Sequence, residues 1–325
     1  MTAAWWVLPA AYALDRLLGD PRWLPHPVIG MGKAIVRVEA AIRRLFRPRA
    51  YRAAGVLLPL IVAGGSFALA WAALRLLAGV SPWLAAAAEA VLVWTTIAAK
   101  GLRDAGMEVC GHLRRGDLPA ARRSLGMIVG RDTGHLEPPE VVRGAVETVA
   151  ENIVDAVVSP LFFALIGGAP LAIAYRAVNT LDSMVGYKNE KYIDLGWASA
   201  RLDDIANYIP ARLTALLLVA AAWACGLDAR GAWRSFRRDA ASHPSPNSGY
   251  PEATVAGALG VRLGGENSYH GVTSFRSYMG DKTRELEPED IPKTARLMFF
   301  VSGVFVVLAV ILSLWWSEAW FLTGR

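Results

Sequence analysis

Residues 147–212 of the chain read ETVAENIVDAVVSPLFFALIGGAPLAIAYRAVNTLDSMVGYKNEKYIDLGWASARLDDIANYIPAR. This stretch carries acids, amides and basic residues on both sides of an apolar segment, and such groups are costly beside lipid unless they have a function. On a helix, Glu147, Glu151 and Asp155 fall on one face. The stripe predicts either the wall of a polar cavity or the solvated face of a surface helix.

Long apolar segments around this stretch indicate an integral membrane protein. The chain has 325 residues, of which 54% are hydrophobic, and a mean hydropathy of +0.33. A helix needs ~20 apolar residues to cross a bilayer. We predict an all-α integral membrane protein, a polytopic helical bundle forming one domain over residues 1–325. Its apolar segments are about 2–14, 53–80, 83–99, 156–178, 210–227 and 295–322, and its polar connecting regions are 15–52, 100–155, 179–209 and 228–294.

Charge and cysteine content exclude several other classes of protein. The net charge of +6 lies mainly in the connecting regions, as the positive-inside rule requires. No segment interleaves basic and aromatic residues, so we expect a lipid bilayer and no nucleic acid as partner. Cys110 and Cys225 are far apart and indicate neither a zinc site nor a disulfide framework.

The central apolar segment is interrupted at residues 167–170, whose sequence is GGAP. Two half-helices that meet at such a break form either a kinked span or a re-entrant hairpin. A kinked span places loops 179–209 and 228–294 on opposite faces of the membrane, provided that 210–227 also crosses. A re-entrant hairpin beside a re-entrant 210–227 segment keeps both loops on one face. The sequence leaves both topologies open.

Hard oxygen ligands are concentrated after this segment. Asp203 and Asn207 lie one helical turn apart and Asp204 is adjacent, a set of the kind that Mg²⁺ takes when it bridges to phosphates. Lys188 and Arg212 would hold the phosphate charge. A salt-bridge cluster at a helix end is the alternative interpretation.

Two proline-containing loops carry the remaining polar motifs. The loop from His243 to Glu252 opens a helix, and a helix N-terminus suits an anion, although a plain surface loop is the alternative. His26 lies between Pro25 and Pro27, which fix its position. That histidine would bind phosphate or metal, or would be an ordinary capping or core residue.

Together the motifs resemble the membrane proteins of cobalamin biosynthesis known as CbiB or CobD. The motifs that carry the resemblance are, in chain order, GDPRWLPHPVIGMG, ENIVDAVVSPLFF, YRAVNTLDSMVGYKNEKY, ARLDDIANYIPARL and HPSPNSGYPEATVAGAL. The resemblance covers residues from about Asp15 to Gly265, and it is weak around 102–140 and in the C-terminal helix.

The resemblance implies adenosylcobinamide-phosphate synthesis at a bacterial inner membrane. In that reaction a propionate of adenosylcobyric acid is joined in amide linkage to aminopropanol phosphate, or to free aminopropanol, with ATP and Mg²⁺. Other enzymes of cobalamin assembly are further partners that the resemblance suggests. Activating a carboxylate as an acyl phosphate needs metal ions and cationic groups, and the attacking amine must be neutral.

On this interpretation the polar residues take three roles within one chamber. The expected Mg²⁺ ligands are Glu147, Glu151, Asp203, Asp204 and Asn207. The expected catalytic residues are Asp182, Lys188, Asn189, Glu190, Asp203 and Asp204, with Asp182, Asn189 and Glu190 orienting the carboxylate or acting as base. The expected substrate-binding residues are His26, Arg176, Tyr187, Arg212, His243, Ser245, Asn247, Ser248 and Glu252, and Asp15 and Asp20 accompany His26.

A transporter of a corrinoid or phosphorylated metabolite is the main rival hypothesis, because a broken span with carboxylates at its edge suits transport. Against it, the sequence has no internal repeat, and the polar motifs lie in loops. A membrane sensor or scaffold is a further rival, and it would tolerate substitutions in the loop motifs.

Overall fold

The computed structural model describes residues 5–21, 26–269 and 271–323, which form a predominantly helical protein with one small β-hairpin. Helices form both in the apolar segments and in the charged connecting regions. The predicted fold class, an all-α polytopic membrane protein with a broken central helix, is confirmed.

The helices are numbered in chain order. They are α1 (Val7–Leu18), α2 (Pro27–Leu45), α3 (Tyr51–Ala54), α4 (Leu57–Val80), α5 (Pro82–Trp94), α6 (Ala99–Arg114), α7 (Leu118–Gly126), α8 (Pro138–Ile153), α9 (Ser159–Val185), α10 (Trp197–Ala206), α11 (Tyr208–Ala224), α12 (Ala229–Asp239), α13 (Gly249–Leu259) and α14 (Asp290–Thr323). A π-helical turn, Val154–Val158, joins α8 to α9.

Within the ranges that the structure describes, four helical segments are long and apolar enough to cross a bilayer. They are Pro48–Val80, Pro82–Arg114, Pro138–Val185 and Asp290–Trp315, and the bent pair of α10 and α11 would be a fifth. Helix α1, which forms from the first apolar segment, has 12 residues and is not among the four. The protein is therefore multi-pass, and whether α11 crosses or re-enters stays open.

The chain divides into two compact units, each assembled from separate parts of the sequence. The first unit comprises Met1–Ala98, Ser159–Asn207 and Phe305–Arg325, and the second comprises Ala99–Val158 and Tyr208–Val304. Neither unit is an N-terminal or C-terminal half of the chain. The single domain over residues 1–325 stays a prediction.

The first unit is built around the packing of α9 against α4 and α2. Its core includes Ile35, Leu58, Leu181 and Leu195, each with 0% exposure. Close packing of this kind is what holds helices together where lipid, not water, surrounds them.

Helix α9 is broken at Gly167 and Gly168, where the GGAP sequence predicts a break. Gly168 has a φ of 68°, which favours glycine, and Pro170 is compatible with the first turn of the second half. Oε1 of the buried Glu89 on α5 accepts a hydrogen bond of 3.3 Å from the N–H of Ala169. A carboxyl group from a neighbouring helix thus satisfies a backbone donor that the break exposes.

In the second unit, glycines permit a close approach of α12 and α13. A Cβ at Gly257 would lie 2.3 Å from the carbonyl oxygen of Gly231, and one at Gly231 would lie 2.6 Å from that of Gly257. The two backbones are therefore in direct contact, which fixes α13, the helix that begins with the His243 loop.

A β-hairpin in the second unit departs from the purely helical prediction. Strand β1 (Leu263–Tyr269) pairs antiparallel with β2 (Val272–Met279). Both strands lie in the polar region 228–294, for which the sequence predicted no strand. The hairpin is anchored by Asp132, whose Oδ2 accepts hydrogen bonds from the Ser268 hydroxyl (2.6 Å) and the Gly271 N–H (2.8 Å).

Candidate functional site

Most of the predicted site residues fall into two polar clusters, one in each unit. The aspartate cluster, in the first unit, consists of Arg176, Asn179, Asp182, Asp203 and Asn207. The glutamate cluster, in the second unit, consists of Glu147, Glu151, His243, Ser245, Ser248, Glu252 and Arg276. Each cluster is described by itself, and the single chamber expected from the sequence stays a prediction.

The aspartate cluster forms where α9 packs against α10. Asp203 is 9% exposed, and its Oδ2 accepts a hydrogen bond of 3.0 Å from Nδ2 of Asn207. Its Oδ1 is buried and has no hydrogen-bond partner among the described residues. The Asp182 carboxylate and the Asn179 amide, one α9 turn apart, lie close enough to interact with Asp203. The cluster therefore presents two neighbouring carboxylates, one with an unused oxygen.

Asn207 holds the Asp203 carboxylate in place. Its Oδ1 accepts hydrogen bonds from the hydroxyls of Ser159 (2.6 Å) and Tyr175 (2.8 Å), and the residue is 1% exposed. These contacts favour a positioning role for Asn207, because its amide oxygen already has two donors.

Arg176 supplies a cation at the edge of the aspartate cluster. Its Nη1 lies 3.3 Å from Oδ1 of Asn179, and its buried Nε has no hydrogen-bond partner among the described residues. Arg176 thus retains a donor for an anion, and its part in substrate binding stays a prediction.

Other predicted residues of the first unit lie at the surface. The Asp204 side chain is 30% exposed and pairs with the exposed Arg201 at 3.3 Å. Asn189 accepts a hydrogen bond of 3.1 Å from the N–H of Tyr192, which stabilises the turn after α9. Three further residues are exposed on the segment that follows α9: Tyr187, Lys188 and Glu190. The structure does not bring this surface segment into the buried cluster.

His26 forms the N-cap of α2. Its Nδ1 accepts a hydrogen bond of 3.3 Å from the N–H of Val28, and its Nε2 lies 3.7 Å from Oδ1 of Asp20. Asp15, the other acid predicted here, is buried on α1. The capping contact accounts for the position of His26, and its part in substrate binding stays a prediction.

In the glutamate cluster, Glu147 is the most fully paired acid. It is 2% exposed, forms ion pairs with Arg131 and Arg143, and accepts a hydrogen bond of 2.8 Å from the N–H of Gly264. Glu147 is therefore not part of a solvated helix face. Arg131 also donates to Oδ1 of Asn267 on β1, so the pair ties α8 to the hairpin.

The His243 loop meets the acidic stripe of α8 through its serines. The Ser248 hydroxyl donates a hydrogen bond of 2.8 Å to Oε1 of Glu151. Oγ of Ser245 accepts from the N–H groups of Asn247 (3.3 Å) and Ser248 (3.2 Å). The predicted loop residues are thus assembled around Glu151.

Glu252 and His243 are neighbouring titratable groups of the cluster. Glu252 is 1% exposed, and neither of its carboxylate oxygens has a hydrogen-bond partner among the described residues. Nδ1 of His243 accepts a hydrogen bond of 3.0 Å from the N–H of Ser245, so the proton of the neutral imidazole is on Nε2. That Nε2 lies 3.7 Å from Oε1 of Glu252.

Burial governs the electrostatics of this pair. Desolvation, together with the charges of Glu151 and Glu147, raises the pKa of Glu252 well above its usual value. Desolvation and the charge of Arg276 lower the pKa of His243. Both shifts favour the neutral forms, and such perturbed pairs are concentrated at functional sites.

The sequence analysis missed Arg276 of β2. Its half-buried guanidinium interacts with the carboxylates of Glu252, Glu151 and Glu147, and it donates a hydrogen bond of 2.8 Å to the hydroxyl of Tyr269. Its position follows from the hairpin, which sequence periodicity did not reveal.

Arg212 is held between two tyrosine rings of the second unit. Its Cζ lies 3.4 Å from the ring centre of Tyr208 and 4.1 Å from that of Tyr250, and it donates to the Tyr250 hydroxyl at 2.9 Å. A weaker contact of 3.4 Å reaches Oδ1 of Asn247. The guanidinium thus orders the start of α13 and remains cationic beside the loop.

A cavity of about 410 Å³ lies beside the hairpin in the second unit. Basic, acidic and aromatic side chains share its wall, among them Arg143, Arg262, Phe275, Tyr278 and Lys282. Arg143 belongs both to this wall and to the ion pair with Glu147, so the cavity adjoins the glutamate cluster.

Side chains alone do not form a closed metal site. Among the described residues, no group of three or more His, Cys, Asp or Glu side chains is arranged to hold a metal ion. Mg²⁺, however, is commonly held by one or two carboxylates together with waters and substrate phosphates. The unused oxygen of Asp203 beside Asp182 fits that mode of binding.

Comparison with known proteins gives consistent matches over nearly the whole chain. A family model described as CobD/Cbib protein matches residues 8–298. The chain is 53% identical to the cobalamin biosynthesis protein CobD of Geobacter metallireducens, over 96% of this chain and 98% of the relative. It is 48% identical to the CobD protein of Photorhabdus laumondii (97% and 98% covered) and 45% identical to the cobalamin biosynthesis protein CbiB of Salmonella typhimurium (95% and 97% covered). No solved structure matches the chain.

Proposed function

This chain belongs to the CobD/CbiB family, and from that membership we propose that it acts in cobalamin biosynthesis as an ATP-dependent amide ligase of a bacterial inner membrane. The observation that carries the proposal is the near-complete match to relatives named as cobalamin biosynthesis proteins. The two clusters of buried polar residues support an enzyme, because unpartnered buried carboxylates require a ligand or a proton.

The proposed reaction joins a propionate of adenosylcobyric acid to the amine of aminopropanol phosphate, or of aminopropanol. ATP first converts the carboxylate to an acyl phosphate. The amine then attacks the carbonyl carbon, the C–N bond forms, and the C–O bond to phosphate breaks. The products are adenosylcobinamide phosphate (or adenosylcobinamide), ADP and phosphate.

Asp203 and Asp182 are the proposed Mg²⁺ ligands. Mg²⁺ bound there would neutralise phosphate charge during transfer. Asp203 presents the free oxygen, Asn207 holds the Asp203 side chain in place, and Arg176 offers a cation to the same phosphate. The remaining predicted ligands, Glu147, Glu151 and Asp204, stay untested, and the partners of Glu147 favour a structural role.

In the second unit, the His243 loop is the proposed site for the smaller substrate. Its serine hydroxyls and the guanidinium of Arg276 suit a phosphate group, and the carboxylates suit an ammonium group. Aminopropanol phosphate carries both groups on one short skeleton. A cluster of mixed sign is therefore well matched to it.

The test is reconstitution of the reaction with the detergent-purified protein. We expect the amide product by mass spectrometry when adenosylcobyric acid, aminopropanol phosphate, ATP and Mg²⁺ are all present. Omitting ATP or Mg²⁺ should abolish product formation. Corrinoid binding without any product, with folded protein confirmed by its thermal unfolding transition, would contradict the ligase and favour a transporter.

A further inference from the structure

We propose that Glu252 binds the ammonium group of the amine substrate and removes its proton before the amine attacks. This inference rests on the proposed function, because it assigns a residue to the amine step of that reaction. It adds a residue to that step, for which the sequence analysis considered Asp182, Asn189 and Glu190 instead.

The first argument is that, among the described residues, no group donates a hydrogen bond to the carboxyl group of Glu252. Both of its oxygens are buried without a hydrogen-bond partner among the described residues, although the residue is 1% exposed. Buried carboxylates are ordinarily paired or hydrogen-bonded. A ligand with several N–H donors, such as an ammonium group, would satisfy both oxygens at once.

The second argument is a comparison of the three acids in the cluster. Glu147 forms ion pairs with two arginines and accepts a hydrogen bond from a backbone N–H. Glu151 accepts a hydrogen bond from the Ser248 hydroxyl. Glu252 alone of these three lacks a hydrogen-bond donor from the described residues. Both acids of α8 thus have hydrogen-bond or ion-pair partners within the protein. The acid of α13, Glu252, is available to a ligand that binds in the cluster.

The third argument concerns the charged groups that face Glu252. Glu147 and Glu151 face it from α8, Arg276 from β2, and Arg131 from the loop before α8. His243 faces it from the loop before α13, with Nε2 at 3.7 Å. Burial and the two neighbouring acids raise the pKa of Glu252, so its carboxyl group is protonated while the cluster is empty. An ammonium group bound beside it adds a positive charge that favours the ionised form, and the resulting carboxylate is a stronger base than an exposed one.

The ammonium gives one proton to the Glu252 carboxylate, which becomes a carboxylic acid, and the nitrogen lone pair is released. That lone pair forms the C–N bond with the acyl phosphate as the C–O bond breaks, and the departing phosphate takes the second nitrogen proton. Glu252 then returns its proton to water as the product leaves.

The experiment compares two nucleophiles in wild-type protein and in the Glu252→Gln variant. An alkyl ammonium with a pKa near ~10 needs a base at neutral pH, whereas hydroxylamine is already neutral there. We expect E252Q to lower the rate of amide formation with aminopropanol phosphate by ~100-fold or more, the range typical of a lost general base. Hydroxamate formation from adenosylcobyric acid, ATP and hydroxylamine should be unchanged.

The same assay separates the two proposals. Hydroxamate formation by wild-type protein reports the acyl phosphate, so its absence contradicts the ligase itself. Equal loss of both products in E252Q, with the variant folded, contradicts only the role of Glu252. The control is Glu289→Gln, which changes an acid of the same unit whose side chain is 50% exposed, and which should leave both rates unchanged. Raising the pH toward the pKa of the amine should restore amide formation in E252Q.

Discussion

Nε2 of His243 lies 3.7 Å from Oε1 of Glu252, and both side chains are buried beneath the loop that opens α13. This separation exceeds a hydrogen bond, so the two groups are neighbours without being joined. Burial raises the pKa of Glu252 and lowers the pKa of His243, so both groups favour their neutral forms. Four predictions follow from this pair and from the other buried contacts, each with its own measurement.

The thermal stability of the Glu252→Gln variant should exceed that of the wild type increasingly as the pH rises. A raised pKa means that folded protein holds the Glu252 proton more tightly than unfolded protein does. The stability that protonated Glu252 contributes is fully present below its unfolded pKa of ~4.3. That stability is lost as the pH rises through the higher pKa of the folded protein. His243 acts oppositely, because its lowered pKa gives stability above ~6.5 that is lost at lower pH.

The measurement is the Tm from tryptophan fluorescence between pH 5 and 8. The difference in Tm between E252Q and wild type should grow with pH. A difference that does not depend on pH would show that Glu252 is not held neutral in the folded protein.

Replacing Arg131 by Met should destabilise the protein strongly. Arg131 is 8% exposed and pairs with Glu147, which is 2% exposed, so its loss leaves a buried charge with fewer partners. Removing one partner of a buried pair costs about 3–5 kcal/mol. Urea unfolding in detergent measures the change. Arg114→Met is the matched control, since its pair with Glu289 is exposed and should be worth ~0–1 kcal/mol.

Replacing Asp203 by Asn should reduce amide formation by ~100-fold or more if Asp203 holds Mg²⁺ as proposed. The buried Oδ1 of Asp203 is the unused ligand oxygen, and an amide there would weaken Mg²⁺ binding. A titration of rate against Mg²⁺ should show a higher half-saturating concentration in D203N. Asp194→Asn, at a surface position paired with Arg52, is the control, and an unchanged Mg²⁺ dependence in D203N would remove Asp203 from the metal site.

Replacing Gly168 by Ala should destabilise the broken helix. The backbone of Gly168, with φ 68° and ψ −166°, is in a region essentially restricted to glycine, and another residue there costs about 1–3 kcal/mol. An added Cβ would also lie 2.3 Å from Oε1 of Glu89. In Gly64→Ala, the control, the added Cβ meets no atom within 4 Å, and helix propensity favours alanine by ~0.5–1 kcal/mol. A lower Tm in G168A than in G64A is the expected result.

Hydropathy and helix-breaking residues predicted most of the helices, because lipid admits few alternatives to a helix. The GGAP sequence located the break in α9, and Asp203 and Asn207 fall one turn apart as expected. Lys188 and Glu190 are exposed, and their catalytic role stays a prediction. The type of a residue indicates which chemical roles it suits. It does not indicate whether the loop that carries it contributes to a binding site or is exposed to solvent.

The hairpin was missed for a physical reason. Its second strand is exposed at most positions, so no alternation of apolar and polar residues marks it. In the sequence, the glycine pair Gly264 and Gly265 indicates a turn as readily as a helix end. In the structure both residues have positive φ, 83° and 98°. Arg276 and Asn267 were missed for the same reason, since both lie on the hairpin.

The interleaving of the two units along the sequence constrains how the protein is made on the ribosome. The second unit needs residues up to Val304, and the first needs the segment that starts at Phe305. Neither unit can close while the chain is half synthesised. Helix α14 contributes residues up to Val304 to the second unit and residues from Phe305 to the first, so both units are completed only after that helix has been synthesised.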